Sequence, residues 1–200
     1  GFDGVERNTS WTYFTSGGGK GKLKTSLEHS GLLTTYAYDE QGRKISEKRS
    51  GPDMMTEVTT YDYAPVDPSD PALPVDTRPR TIVKTLNGIE CERTYYVYAP
   101  LTNIVERVGT QGAAYGGTNV LRTVVAYYPV EGEGGIGERC FAQGLIKSRR
   151  YEDGKLDLYD YSLNDGIWME MVTHLHEQTP VPVSGKTTRD VTLTNARGEV

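Results

Sequence analysis

The sequence predicts an all-β fold: consecutive antiparallel β-hairpins laid side by side into a twisted, extended or spiralling repeat sheet. Three observations predict it. Short runs rich in Thr, Val and Tyr alternate with Gly, Asn and Asp turn signals along most of the 200 residues. Tyr outnumbers Phe by 14 to 3 while hydrophobic residues make up only 36%, which favours an amphipathic sheet, because Tyr can bury its ring and keep its hydroxyl wet. Gly21-Lys22-Leu23 is matched 21 residues later by Gly42-Arg43-Lys44, so the hairpin is itself a repeat unit.

The clearest unit runs from Gly31 to Ile45. Thr34 to Tyr38 suit a pleated strand, and Asp39 to Gly42 supply turn chemistry: an Asp side chain that can bond the backbone ahead of it and a Gly free to take positive φ. Trp11-Thr12-Tyr13 stands to the turn at Gly21 much as Tyr36-Ala37-Tyr38 stands to the turn at Gly42. Ser16 to Lys22 invites a phosphate-loop reading, but Ser16 stands where that motif needs Gly, and Leu23 where it needs Ser or Thr. The turn reading is preferred. Asn8-Thr9-Ser10 fits a glycosylation sequon, a weak signal by itself.

Tyr36-x-Tyr38-Asp39-x-x-Gly42-Arg43, with its spacing of 21, resembles the YD repeat of Rhs and teneurin-type proteins. The match covers about residues 11 to 50. Fainter echoes follow at Tyr61/Tyr63, Tyr96/Tyr98, Tyr127-Tyr128, Tyr159/Tyr161 and Thr192 to Val200. The resemblance implies that residues 1–200 are one YD-repeat-like array, cut from a longer bacterial protein, secreted or on the cell surface. Its partners would then be neighbouring repeats, and its role structural: a length of shell wall that can enclose a toxin. Tyr36, Tyr38, Asp39, Gly42 and Arg43 are the implied structural motif residues.

Further along, Gly51-Pro52-Asp53 marks a reversal and Glu57 to Tyr63 a strand. Residues 64–79 are Pro-rich and read as an inserted surface loop, because proline donates no ladder bond. Thr81 to Leu86, Asn87-Gly88 and Ile89 to Tyr98 form a hairpin on the preferred type I′ pair, with Leu86 opposite Ile89 and Lys84 opposite Cys91. Residues 110–119 and 131–137 read as Gly-containing loops around a strand at Val120 to Tyr128. A meander follows from Leu145 to Met171, turning at Asp153-Gly154 and at Asn164-Asp165-Gly166. At its first turn a two-residue loop predicts Tyr151 opposite Leu156 and Arg150 opposite Asp157. The segment around Trp168 to Leu175 fits strand and helix periods alike, and strand is preferred because it leaves a hairpin turn. A last strand is read at Thr187 to Leu193.

The chemistry on offer is thin. A net charge of −5 without a basic run gives no electrostatic footprint for nucleic acid. No run approaches the ~20 apolar residues that span a bilayer, so no membrane insertion is expected. Cys91 and Cys140 are too few for a disulfide framework, and are read as one bridge or two buried thiols. A nucleophilic enzyme needs an activated Ser, Cys or Thr beside a base, and with three histidines and no Gly-x-Ser-x-Gly elbow no enzyme and no cofactor are expected. His174-Leu175-His176, with Glu170, is the best metal-like feature, yet a polar face opposite Met169, Met171 and Leu175 is the preferred reading. Asp157 and Asp160 are read as surface carboxylates, and an Arg43–Asp39 pair as exposed and weak. Paired tyrosines mostly stack and cover the sheet. The alternative is a carbohydrate- or receptor-binding surface, with Trp11, Tyr13 and Trp168 as glycan contacts.

Overall fold

The computed structural model describes residues 8–52, 55–71, 76–128, 144–164, 167–175 and 187–194. Thirteen strands lie among them: β1 (Ser10–Tyr13), β2 (Leu23–Leu27), β3 (Leu33–Tyr38), β4 (Lys44–Ser50), β5 (Thr56–Asp62), β6 (Thr81–Leu86), β7 (Ile89–Ala99), β8 (Thr102–Val108), β9 (Val120–Tyr127), β10 (Ile146–Arg150), β11 (Leu156–Asn164), β12 (Ile167–Leu175) and β13 (Thr187–Thr194). They form one sheet whose strand order is the order of the sequence. The fold is therefore all-β and built from consecutive antiparallel hairpins, as the turn signals predict.

The chain divides into two compact units, one of residues 1–96 and 107–120, the other of 97–106 and 121–200. Among the described residues the buried apolar side chains are Tyr95, Val97, Tyr128 and Leu175, while the buried polar ones include Thr34, Thr59, Thr81, Thr94, Thr173, Asp70, Arg80, Glu106 and Asp157. Polar burial exceeds apolar burial, so the strands depend on side-chain hydrogen bonds and ion pairs as much as on hydrophobic transfer.

A single corner recurs. In five places a residue donates its N–H to the carbonyl of the residue just after a glycine, and that glycine donates its own N–H back: Phe14 with Gly21 and Lys22, Glu28 with Gly31 and Leu32, Asp39 with Gly42 and Arg43, Tyr128 with Gly144 and Leu145, and Tyr151 with Gly154 and Lys155. All five glycines have φ between 73° and 85°, the left-handed region that side chains with a Cβ resist. The three short corners are three-residue loops, a turn closed by a left-handed glycine.

Four returning strands also carry a β-bulge at one fixed place. Lys24, Ile45, Cys91 and Lys147 are each passed over in the pairing register, and each stands three residues after a positive-φ glycine, Gly21, Gly42, Gly88 and Gly144. The extra residue re-phases the strand after the turn, so that side chains farther along regain their face.

Asn87 and Gly88 have φ of 51° and 83°, as a type I′ turn requires, and Leu86 lies opposite Ile89. Lys84 is not opposite Cys91. The bulge at Cys91 shifts the register and sets Lys84 against Glu92, to which its ammonium bonds at 2.6 Å. Cys91 is exposed, a free thiol donating to the carbonyl of Lys84, which corrects the buried-thiol reading; Cys140 lies outside the described residues.

The Asp153-Gly154 hairpin forms with a register one residue away from that expected: Arg150 lies opposite Leu156 and Arg149 opposite Asp157. The turn has three residues, because Gly154 takes the closing left-handed position and Asp153 accepts from the Lys155 N–H at 3.1 Å. Strand β8 was not read from the sequence; it follows Pro100 and carries no paired aromatics. The turn expected at 164–166 falls partly outside the described residues, and 131–137 and 195–200 lie wholly outside them, but β11 and β12 pair antiparallel from Leu156↔Leu175 to Asn164↔Ile167.

The described parts of the Pro-rich segment, residues 64–71 and 76–79, lie outside the strands and are anchored by charge. Ser69 and Arg78 donate backbone N–H groups to the carboxylates of Asp67 and Asp76, the side-chain-capped turns that Asp favours. Arg80, 1% exposed, enters just before β6 and places Nε and Nη2 on the two oxygens of Asp70 at 2.7 and 3.0 Å. Its guanidinium also bonds Asp76 at 3.0 Å and the carbonyl of Arg78 at 2.6 Å.

Candidate functional site

The motif residues converge on the β3–β4 corner. Asp39 Oδ1 accepts the Arg43 N–H at 2.7 Å and Oδ2 accepts Arg43 Nε at 2.6 Å, while the ladder closes through Asp39 N–H to the Arg43 carbonyl. Burial alone raises the Asp39 carboxyl, but the bonds from Arg43 outweigh it and hold the group below its ordinary range. Both side chains are about four-fifths covered, so the pair is not the exposed, weak contact the sequence suggests.

Two features seat this corner against the preceding loop. The Lys22 ammonium bonds the Gly42 carbonyl, and Gly18 packs so tightly that a Cβ there would come within 2.0 Å of the Asp39 carbonyl oxygen. Glycine is thus required by space at Gly18 and by both φ and space at Gly42, whose Cβ would meet the Gly18 oxygen at 2.7 Å. The Gly-rich run from Ser16 to Lys22 serves this packing.

Around the corner, cations and tyrosine rings alternate. The Arg43 guanidinium lies 4.3 Å from the Tyr63 ring centroid, Lys44 lies 4.6 Å from that of Tyr61 and 5.9 Å from that of Tyr36, and Lys22 lies 5.3 Å from that of Tyr38. Phe14 meets Tyr38 edge to face at 5.7 Å. The Tyr63 hydroxyl donates to the Lys44 carbonyl at 2.8 Å, and Lys44 bonds Glu47 at 2.8 Å. Burial raises the hydroxyls of Tyr38 and Tyr63 above their ordinary value; for Lys44, burial acts downward but its bonds to Glu47 and Tyr61 prevail and raise it.

These side chains line a groove of about 340 Å³ bordered by Lys22, Tyr38, Arg43, Lys44, Tyr61 and Tyr63. Its rings already carry cations over them, and Arg43 and Lys44 already hold carboxylates. Such cation–π contacts contribute about 0.5–2 kcal/mol each. The arrangement rigidifies a sheet face, with cations interleaved between rings where the sequence suggests tyrosine stacking on tyrosine. Tyr–Tyr edge contacts do occur, at Tyr95–Tyr115 and Tyr128–Tyr161, and burial pushes the Tyr161 hydroxyl up to about 12.

Trp11 and Tyr13 lie on β1, 57% and 59% exposed. Trp168 lies in β12, paired with Leu163 and Thr194, and its side chain falls outside what is described. Lys22, Lys44 and Tyr63 complete the corner; the sequence places Tyr63 in a repeat echo and the two lysines in the matched turn steps, but gives none of them a part in this site. The signal for the lysines is positional: each of the matched Gly-Lys and Gly-Arg-Lys steps sets cations directly after a turn glycine.

His174 holds carboxylates on both sides. Its Nδ1 is 2.6 Å from Asp157 Oδ1, and its Nε2 is 3.2 Å from Asp190 Oδ2. Asp157 is buried, correcting the surface reading, and accepts the Tyr151 hydroxyl at 2.7 Å. Leu175 and Thr173 bury the other face of β12. Glu170 is four residues from His174, about 13 Å along an extended strand, too far to share an ion. Among the described residues no cluster of His, Cys, Asp and Glu is arranged to hold a metal ion, and His176 lies outside them.

No protein-family model matches the chain, and no curated protein matches it. A solved structure of a porin-like protein from Bacteroides uniformis is similar over 94% of this chain and 76% of that one, at 12% identity and a TM-score of 0.47, a likeness too slight to carry an argument.

Proposed function

We propose that this chain is a structural repeat segment of the Rhs/YD type, a length of wall in a large secreted or cell-surface bacterial shell that can enclose a toxin, with neighbouring repeats as its partners. The observation that carries the reading is the repeated corner: the same reciprocal glycine closure and the same bulge three residues after a glycine recur along one sequence-ordered sheet. Such a unit is marginal alone and gains stability by stacking on its neighbours. The tyrosine–cation face fits a load-sharing wall, because its polar groups are satisfied within the sheet. Cryo-electron microscopy of the full-length gene product tests this. The expected result is hairpins of this segment continuing into flanking repeats around an enclosed chain; a free-standing domain displaying this sheet with nothing enclosed overturns it.

One observation favours a second reading, a carbohydrate- or receptor-binding surface: Trp11 and Tyr13 expose aromatic rings on a strand that pairs, among the described residues, with β2 alone. Glycan-array binding lost in a Trp11→Ala/Tyr13→Ala variant supports it, and absence of any bound glycan refutes it.

A further inference from the structure

We propose that His174 is a pH-operated clamp that fastens strand β13 to the sheet while its imidazole is protonated. Both ring nitrogens face carboxylates, Asp157 on β11 and Asp190 on β13, and only the imidazolium donates from both at once. A neutral ring has one N–H, so one carboxylate must then face a lone pair. Which contact fails follows from burial. The Asp157 side chain is 8% exposed and anchored by Tyr151, whereas that of Asp190 is 79% exposed and can be solvated. The neutral ring keeps its proton on Nδ1 toward Asp157 and releases Asp190.

The groups facing the ring are Asp157 from β11, with Tyr151 bonded to it and Arg149 and Lys155 acting on its charge, and Asp190 from β13, with neutral Thr188 directly opposite His174. The two carboxylates prevail. Asp157's hydrogen bond is the largest influence on the imidazole, burial opposes it, and the net effect raises its pKa above the ordinary value. The stabilisation is therefore fully present below the unfolded imidazole's pKa of about 6.5 and is lost as pH rises through the higher folded value.

Loss of this tie bears on β13 because its described apolar side chains, Val191 and Leu193, are each more than half exposed, and among the described strands it pairs with β12. Detachment of one weakly held strand is a local opening, with a free energy well below that of global unfolding.

Nitrogen-15 NMR of the imidazole and amide hydrogen exchange of residues 187–194, corrected for intrinsic exchange and followed from pH 5 to 9, test the clamp. The expected result is an imidazole with both nitrogens protonated below a raised pKa, β13 protection that drops as that proton leaves, and loss of this drop in His174→Gln. Asp190→Asn, at an exposed position that leaves the fold intact, should abolish the drop while Asp157 keeps its bond. Protection that follows pH equally in wild type and Asp190→Asn, or an imidazole titrating at or below the ordinary value, overturns the proposal.

Discussion

Replacing Arg80 by Met should cost far more than any surface charge in the chain. Arg80 and Asp70 have side-chain exposures of 1% and 0%, and the guanidinium meets both Asp70 oxygens, Asp76 and the Arg78 carbonyl. The bonds to Asp70 and Asp76 outweigh burial and raise the already high pKa of Arg80, so it stays charged at every accessible pH. Removing it takes the guanidinium away from a fully buried carboxylate, a loss of about 3–5 kcal/mol for a broken buried pair. Against a domain stability of about 5–15 kcal/mol that is a large fraction. At about 2–4 °C per kcal/mol for a chain of this length, the melting temperature should fall by roughly 6–20 °C.

Urea unfolding of Arg80→Met and of Asp70→Leu/Arg80→Met separates the causes. The single variant should lower the midpoint at unchanged slope, and the double should recover most of the loss, because an apolar pair of similar volume carries no stranded charge. Asp76 keeps Arg78 as its partner throughout, at 2.6 Å. A single variant within about 1 kcal/mol of wild type, or a double variant no better than the single, would refute the argument that desolvated charge ties Asp70 and Asp76 to the start of β6.

Gly42→Ala should cost about 1–2 kcal/mol for left-handed backbone strain plus a further loss from the 2.7 Å clash with Gly18. Gly88→Ala, with similar φ and open space around its Cβ position, should cost the strain alone, and equal midpoints in urea would sink the packing claim. Asp39→Asn should flatten the acid limb of stability: the folded carboxyl is held low, so its contribution is present above the unfolded pKa of about 3.9 and lost as pH falls through the lower folded value. An unchanged acid limb would count against the Asp39–Arg43 corner. Tyr63→Phe deletes only the hydroxyl bonded to the Lys44 carbonyl and should cost about 0.5–1.5 kcal/mol, read by thermal melting against Tyr63→Ala, which also strips the ring from Arg43.

What the sequence disclosed, and what it hid, divide along a physical line. Asn87-Gly88 and Gly42 announce themselves because positive φ selects residue type, and the prolines of 64–79 because a missing N–H excludes them from a ladder. The long-range pairings had no such local signature. Arg80 reads like any loop arginine, and Asp157 like any surface acid, until folding brings up Asp70 and His174. The Asp153-Gly154 register failed because one dipeptide serves both a two-residue turn and a three-residue turn, and only the backbone bond from Tyr151 to Lys155 distinguishes them. The bulges were the best hidden. Lys24, Ile45, Cys91 and Lys147 share no chemistry, because the bulge asks nothing of its side chain; it asks for one extra residue after a left-handed glycine, so the repeat lies in spacing from that glycine. Not every left-handed glycine is followed by a bulge, since Gly31 and Gly154 open strands that pair without one, but where the bulge occurs the spacing is fixed, and by it Gly144 completes the Tyr127–Tyr128 unit across a long insertion. Counting back from Lys147 to Gly144 finds it where a search for Gly-Arg beside the tyrosines does not.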